Sequence, residues 1–106
     1  MTKYLFRASY TPAGIAGIVH EGGSARSKAI ETLVGSVGGT IECFYWGFGQ
    51  DDFFLIAELP DNVAAAALST TVAAAGVASI QTTPLLSADD IDQVRSRSVD
   101  YTPPRA

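Results

Sequence analysis

Between Lys3 and Tyr10 the side chains alternate, with Tyr4, Phe6, Ala8 and Tyr10 on one side and Lys3, Leu5, Arg7 and Ser9 on the other. A period of two predicts a first strand. Thr11-Pro12 then reads as a cap followed by proline in the first turn, opening a short helix over 12–20 that Glu21-Gly22-Gly23 interrupts. Ser24 is placed to cap a second helix, whose stripe Ile30, Leu33, Val34 and Val37 follows the i, i+3, i+4, i+7 spacing and stops at Gly38-Gly39.

The next two apolar runs, Thr40 to Phe48 and Asp52 to Leu59, predict strands joined by a tight glycine-containing turn. Pro60-Asp61 opens an alanine-rich helix over 62–75, Gly76 closes it, and Val77 to Leu85 reads as a fourth strand. Ser87 with Asp90 has the spacing of a capping box for a last short helix carrying Ile91 and Val94. A single domain over 1–97 and an extended tail over 98–106 are therefore expected. The main elements run β-α-β-β-α-β, and right-handed crossovers put both main helices on one face of an antiparallel sheet. The predicted class is α+β, a ferredoxin-like four-stranded sheet.

The other face of that sheet is then the informative one. A sheet with helices on one side and water on the other should alternate apolar with polar positions. In the third strand Phe53, Leu55, Ala57 and Leu59 form one face, yet Phe54 and Ile56 lie between Asp52 and Glu58 on the other. Strict alternation in the second strand likewise sets Ile41, Cys43 and Tyr45 against Phe44, Trp46 and Phe48. With no helix left to cover it, the second face predicts a homodimer packed sheet to sheet. Arg7 in the neighbouring first strand would then need a carboxylate, with Asp52 or Glu58 in reach.

Composition narrows the function classes. The 106 residues are 47% hydrophobic, which suits one folded domain, and the net charge is −4. The seven basic residues are scattered, so the clustered positive surface that phosphate backbones require is missing and no nucleic-acid partner is expected. One cysteine and one histidine leave no disulfide and no Cys/His metal cage, and no cofactor is indicated. No apolar run approaches 20 residues and the first residues do not resemble a signal peptide, so no membrane association and a cytoplasmic location are expected.

Candidate chemistry collects at a few positions. Asp52, on the same face as Phe54 and Ile56, is a candidate general base, set against the common use of aspartate to tie a turn. His20 beside Glu21 and two glycines is a candidate base or proton shuttle, or simply an exposed loop residue. Ser24 and Arg26 stand at a helix start suited to a small anion, with plain capping as the alternative. Tyr45 and Trp46 are candidate walls for a flat organic ligand, or else core and interface. Cys43 reads as a small buried apolar residue.

The chain resembles the GYD-domain proteins, a family of small bacterial proteins. The opening KYLFRASYT, the EGGSAR segment, the Gly-Gly before the second strand, FYWGFG, LPDN and the alanine-rich helix carry the likeness over nearly the whole length. The naming motif falls on Gly49-Gln50-Asp51-Asp52, where Gly49 and Asp52 match and Asp51 replaces the tyrosine. The resemblance implies a ferredoxin-like, dimeric α/β-barrel arrangement and assigns no reaction. By analogy with that fold type, a small-molecule-binding homodimer is expected, with Asp52 or His20 taking a proton and Arg7 holding negative charge in a cofactor-independent reaction of the monooxygenase or isomerase kind. The competing expectation is a non-catalytic dimeric binding or assembly module.

Overall fold

A computed structural model describes residues 1–105, comprising β1 (Thr2–Tyr10), α1 (Pro12–Glu21), α2 (Gly23–Ser36), β2 (Thr40–Trp46), β3 (Phe53–Leu59), α3 (Asn62–Ala74), β4 (Ala78–Leu85) and α4 (Ala88–Ser96). The four strands form one antiparallel sheet in the order β2-β3-β1-β4. The fold is α+β. After Ser96 the chain has no regular structure through Arg105, and Ala106, the last residue of the expected tail, lies outside the described residues.

Local chemistry explains the helix starts. The Thr11 hydroxyl accepts the Gly14 N–H at 3.2 Å with Pro12 in the first turn, and the Asp61 carboxylate accepts the Ala64 N–H at 2.9 Å. Ser87 and Asp90 close both bonds of a capping box around α4. Ser24 is the exception. Gly22 adopts φ +83° and serves as the cap, so α2 begins at Gly23 and Ser24 falls inside its first turn, where it makes no capping bond. Only glycine enters that region freely, and it sets the helix start ahead of the serine.

The core lies between one face of the sheet and the helices. Tyr4, Phe6 and Ala8 of β1 and Phe53, Leu55, Ala57 and Leu59 of β3 are buried, joined by Ile30 and Val34 from α2 and Ala65 and Leu68 from α3. The Tyr4 phenol, almost wholly buried, donates to Asn62 Oδ1 at 2.6 Å, so its burial strands no polar group. Gly14 brings α1 against β4: a Cβ there would stand 2.1 Å from the Val77 carbonyl oxygen.

Strand β2 departs from the expected alternation. Ile41 pairs with Ala57 and Cys43 with Ile56, so two residues advance on β2 while β3 advances by one, and Glu42 is the extra residue of a bulge. From there the phase is reversed. Phe44 opposes Leu55 and Trp46 opposes Phe53 on the helix side, whereas Cys43 and Tyr45 oppose Ile56 and Phe54 on the other. The grouping of Ile41 with Cys43 and Tyr45 is thereby corrected to Ile41 with Phe44 and Trp46, because one inserted residue moves everything beyond it to the opposite face.

Candidate functional site

Strands β2 and β3 end sooner than the apolar runs suggest, leaving a six-residue loop over 47–52 in place of a tight turn. The loop is closed by the Gly47 N–H donating to the Asp52 carbonyl at 2.9 Å and is fastened to the end of β1. The Asp52 N–H donates to Ala8 O at 2.8 Å, the Tyr10 N–H donates to Asp52 Oδ2 at 2.9 Å, and the Ser9 hydroxyl donates to Gln50 O at 2.9 Å. Asp52 therefore continues the β1–β3 ladder with its side chain where β3's backbone leaves off. Its carboxylate is bound to a backbone amide, as in the common use of aspartate to tie a turn.

Asp51 takes the position expected of Asp52. Its Oδ2 lies 3.5 Å from Arg7 Nη1 and its Oδ1 3.4 Å from the Ser9 hydroxyl, on the outer face of the sheet. Arg7 Nη2 donates to Gln81 Oε1 at 2.5 Å across the β1–β4 pairing. The expected partners of Arg7, Asp52 and Glu58, are thus replaced by Asp51 and Gln81. The physical reason is register: Arg7 sits opposite Phe54 and Gln81, one pleat from the loop that carries Asp51, while Glu58 sits opposite Lys3 four residues away. Arg7 Nε is buried without a hydrogen-bond partner among the described residues. The guanidinium is held at two corners and framed by apolar Leu5, Phe54 and Ile56.

Farther along the same face Lys3 pairs with Glu42, the bulge residue, which raises the Lys3 ammonium above its ordinary 10.5, chiefly through the hydrogen bond and then through charge attraction. Here the face opens into a groove of about 1000 Å³ between Lys3, Ile56, Glu58 and Leu85 on the sheet and Asp90, Val94 and Arg97 of α4 and its end. The groove and the Arg7 row share one continuous surface through Ile56 and Leu5.

The remaining candidates scatter. His20 is exposed in the last turn of α1. Arg26 turns to Glu21, 3.5 Å away, at a cleft of about 130 Å³ whose lining includes Tyr10, Gly14 and Gly17 but not Ser24. Tyr45 and Trp46 point to opposite faces, so they do not wall one pocket: Tyr45 is exposed on the outer face, and Trp46 lies 5.4 Å from the ring of Phe53 on the helix side. No group of three or more metal-ligating side chains is present among the described residues. No helix among them is long and apolar enough to cross a membrane.

Two participants went unmarked in the sequence. Gln81 was legible in principle, since Ser79, Gln81 and Thr83 alternate with Ala78, Ile80 and Thr82 and face outward once β4 is paired with β1. Tyr10 had no such signal. Burial raises its phenol above the ordinary 10.0; the Trp46 indole and the Arg26 charge work the other way, and Asp52 adds to the rise. Those neighbours come from separate parts of the chain.

No curated protein and no solved structure gives a match to the chain. Residues 4–94, from the core phenol of β1 to the groove-lining valine of α4, match the GYD domain. The chain belongs to the GYD domain family.

Proposed function

We propose that the protein is a homodimeric small-molecule-binding protein that uses the outer face of its sheet, with a ferredoxin-like arrangement of strands and helices behind that face. The observation that carries this reading is the Arg7 row. An arginine clamped by Asp51 and Gln81 sits in the middle of a sheet face bearing Leu5, Phe54, Ile56 and Tyr45, and no helix of the same protomer covers it. An apolar floor with one fixed cation suits a flat organic acid, the ring lying on the aliphatic and aromatic side chains and the acid group meeting the guanidinium. A second copy laid sheet to sheet would exclude water from the same surface. The free Cys43 suits a reducing, cytoplasmic setting.

Thermal unfolding against a library of aromatic acids, lactones and phosphates tests the binding, because a ligand of the native state alone raises the melting temperature with concentration. Aromatic acids should shift the wild type and leave Arg7→Leu unshifted. A library that shifts neither sinks the reading. The engagement of Asp52 by the Tyr10 amide favours, as a second reading, a dimeric binding module without catalysis, since the group best placed by sequence to move a proton already serves the backbone.

A further inference from the structure

Helix α4 is firmly specified and yet has nothing beneath it. Its capping box is complete, with Ser87 N–H on Asp90 Oδ2 at 2.9 Å and Asp90 N–H on Ser87 Oγ at 3.1 Å, but no residue of the helix is buried, and Ile91 and Val94 are more than half exposed. Asp90, Val94 and Arg97 fall at i, i+4 and i+7, one stripe of the helix, and that stripe faces the sheet across the open groove. Only Leu86 and Ser87 connect β4 to α4, and Ser87 is committed to the capping box, so the helix is held away from its own sheet at a set distance. The Cα radius of gyration, 16.9 Å, exceeds the ~13 Å of a compact chain of this length. The excess belongs to a projecting end: apart from half-buried Asp90, every described residue from Leu86 to Arg105 is exposed.

We infer that α4 and the arm after it clasp a second copy of this chain, so that the groove of each protomer is closed by its partner. The inference rests on the proposed sheet-face dimer. Charge selects the occupant. The sheet wall carries Lys3 with Glu42 and Glu58, and the helix wall carries Asp90 with Arg97, both signs on each wall. A two-fold contact brings a surface against its own copy and needs such self-complementarity, with acid meeting base in both halves. Ile91, Val94 and Leu86 supply the apolar area, and Val99 and Tyr101 of the arm extend it.

The test is sedimentation velocity over a concentration series on the full chain, with Ile91→Asp/Val94→Asp as the variant. Both side chains are exposed in the protomer, so its melting temperature when monomeric should stay at the wild-type value. The dimer dissociation constant should rise about a hundredfold or more, because two aliphatic side chains leave the interface and two charges enter it. Arg97→Glu, which leaves the capping box intact, should raise it about three- to tenfold, less so in high salt. A dimeric wild type with both variants unchanged overturns the clasp and leaves the sheet-face dimer standing. A wild type that stays monomeric at every concentration overturns both. A variant that melts lower with no change in mass shows α4 closing on its own sheet and also overturns the clasp.

Discussion

The two faces of the sheet are made from the same strands and differ in kind. On the helix side, Tyr4, Phe6, Leu55, Ala57 and Leu59 are at most 2% exposed, and the one phenol among them has its partner in Asn62. On the outer side, Leu5 and Ile56 are half-buried and Phe54 is exposed, and among them stand a clamped arginine, three acids and a lysine, several still open to solvent. The helix side is closed chemistry: apolar surface removed from water with nothing left to bind. The outer side keeps polar groups ordered at the edge of apolar area, an arrangement that costs stability in isolation and is useful only when something else covers it. The first face therefore folds the chain, and the second is the one on which the proposed dimer and ligand site rest.

The sharpest way to break that comparison is to truncate one large side chain on each face. Leu59→Ala should lower unfolding stability by about 2–5 kcal/mol, as large-to-small changes in full cores do. Phe54→Ala, measured by urea unfolding at protein concentrations low enough to keep protomers apart, should cost under about 1 kcal/mol, in the range of surface changes. Equal costs would mean that the outer face is as structural as the inner one. Next in size is Gly14→Ala. The new methyl meets the Val77 carbonyl oxygen at a separation no real Cβ adopts, and α1 must lift from β4, for a loss of about 1–3 kcal/mol by the same measurement.

Smaller effects separate the two acids of the loop. Asp52→Ala leaves the Tyr10 amide without its acceptor and should cost about 1–2 kcal/mol, while Asp52→Asn keeps an oxygen there and should restore most of it. Asp51→Ala removes only a half-exposed pair and should cost less than about 1 kcal/mol. If Asp51 proves the more costly of the two, the assignment of roles is reversed. The smallest effect is alkaline. Tyr10 and Lys3 both hold their protons more tightly folded than unfolded, so their contributions are whole below pH 10.0 and are lost as pH rises through the raised folded values. Unfolding midpoints should fall above pH 10.0, and Tyr10→Phe should flatten part of the slope. A midpoint that climbs with pH in that window would contradict the burial of the phenol.

Strand and helix identities were legible because each rests on a local signal: alternation in β1 and β3, the 30/33/34/37 stripe of α2, the Thr11, Asp61 and Ser87 caps. Where the pattern misled, the deciding event lay elsewhere in the chain. The bulge in β2 is set by pairing with β3, which no pattern within Thr40–Trp46 announces. The start of α2 depends on a backbone conformation at Gly22 that outranks the better capping side chain two residues along. That Arg7 needs an acid follows from its strand alone, but choosing between Asp51 and Asp52 requires knowing that β3 begins at Phe53 and that the residue before it turns back to β1. The candidate site was visible as a set of residue types and invisible as an arrangement, since Gln81 and Tyr10 enter it only through register and packing.

The bulge at Glu42 also makes β2 a strand with two grammars. A one-residue deletion there would remove the partner of Lys3 and little else. Without Glu42, the run Thr40-Ile41-Cys43-Phe44-Tyr45-Trp46 pairs one for one with Glu58 to Phe53, so Phe44 and Trp46 stay in the helix layer and Cys43 and Tyr45 on the outer face. Position 42 is thus a place where β2 can lose a residue without any neighbour changing face. Among relatives of this domain, a gap at that column would signal a straighter strand with the same two faces, whereas a gap one strand position farther on with the bulge kept would exchange them.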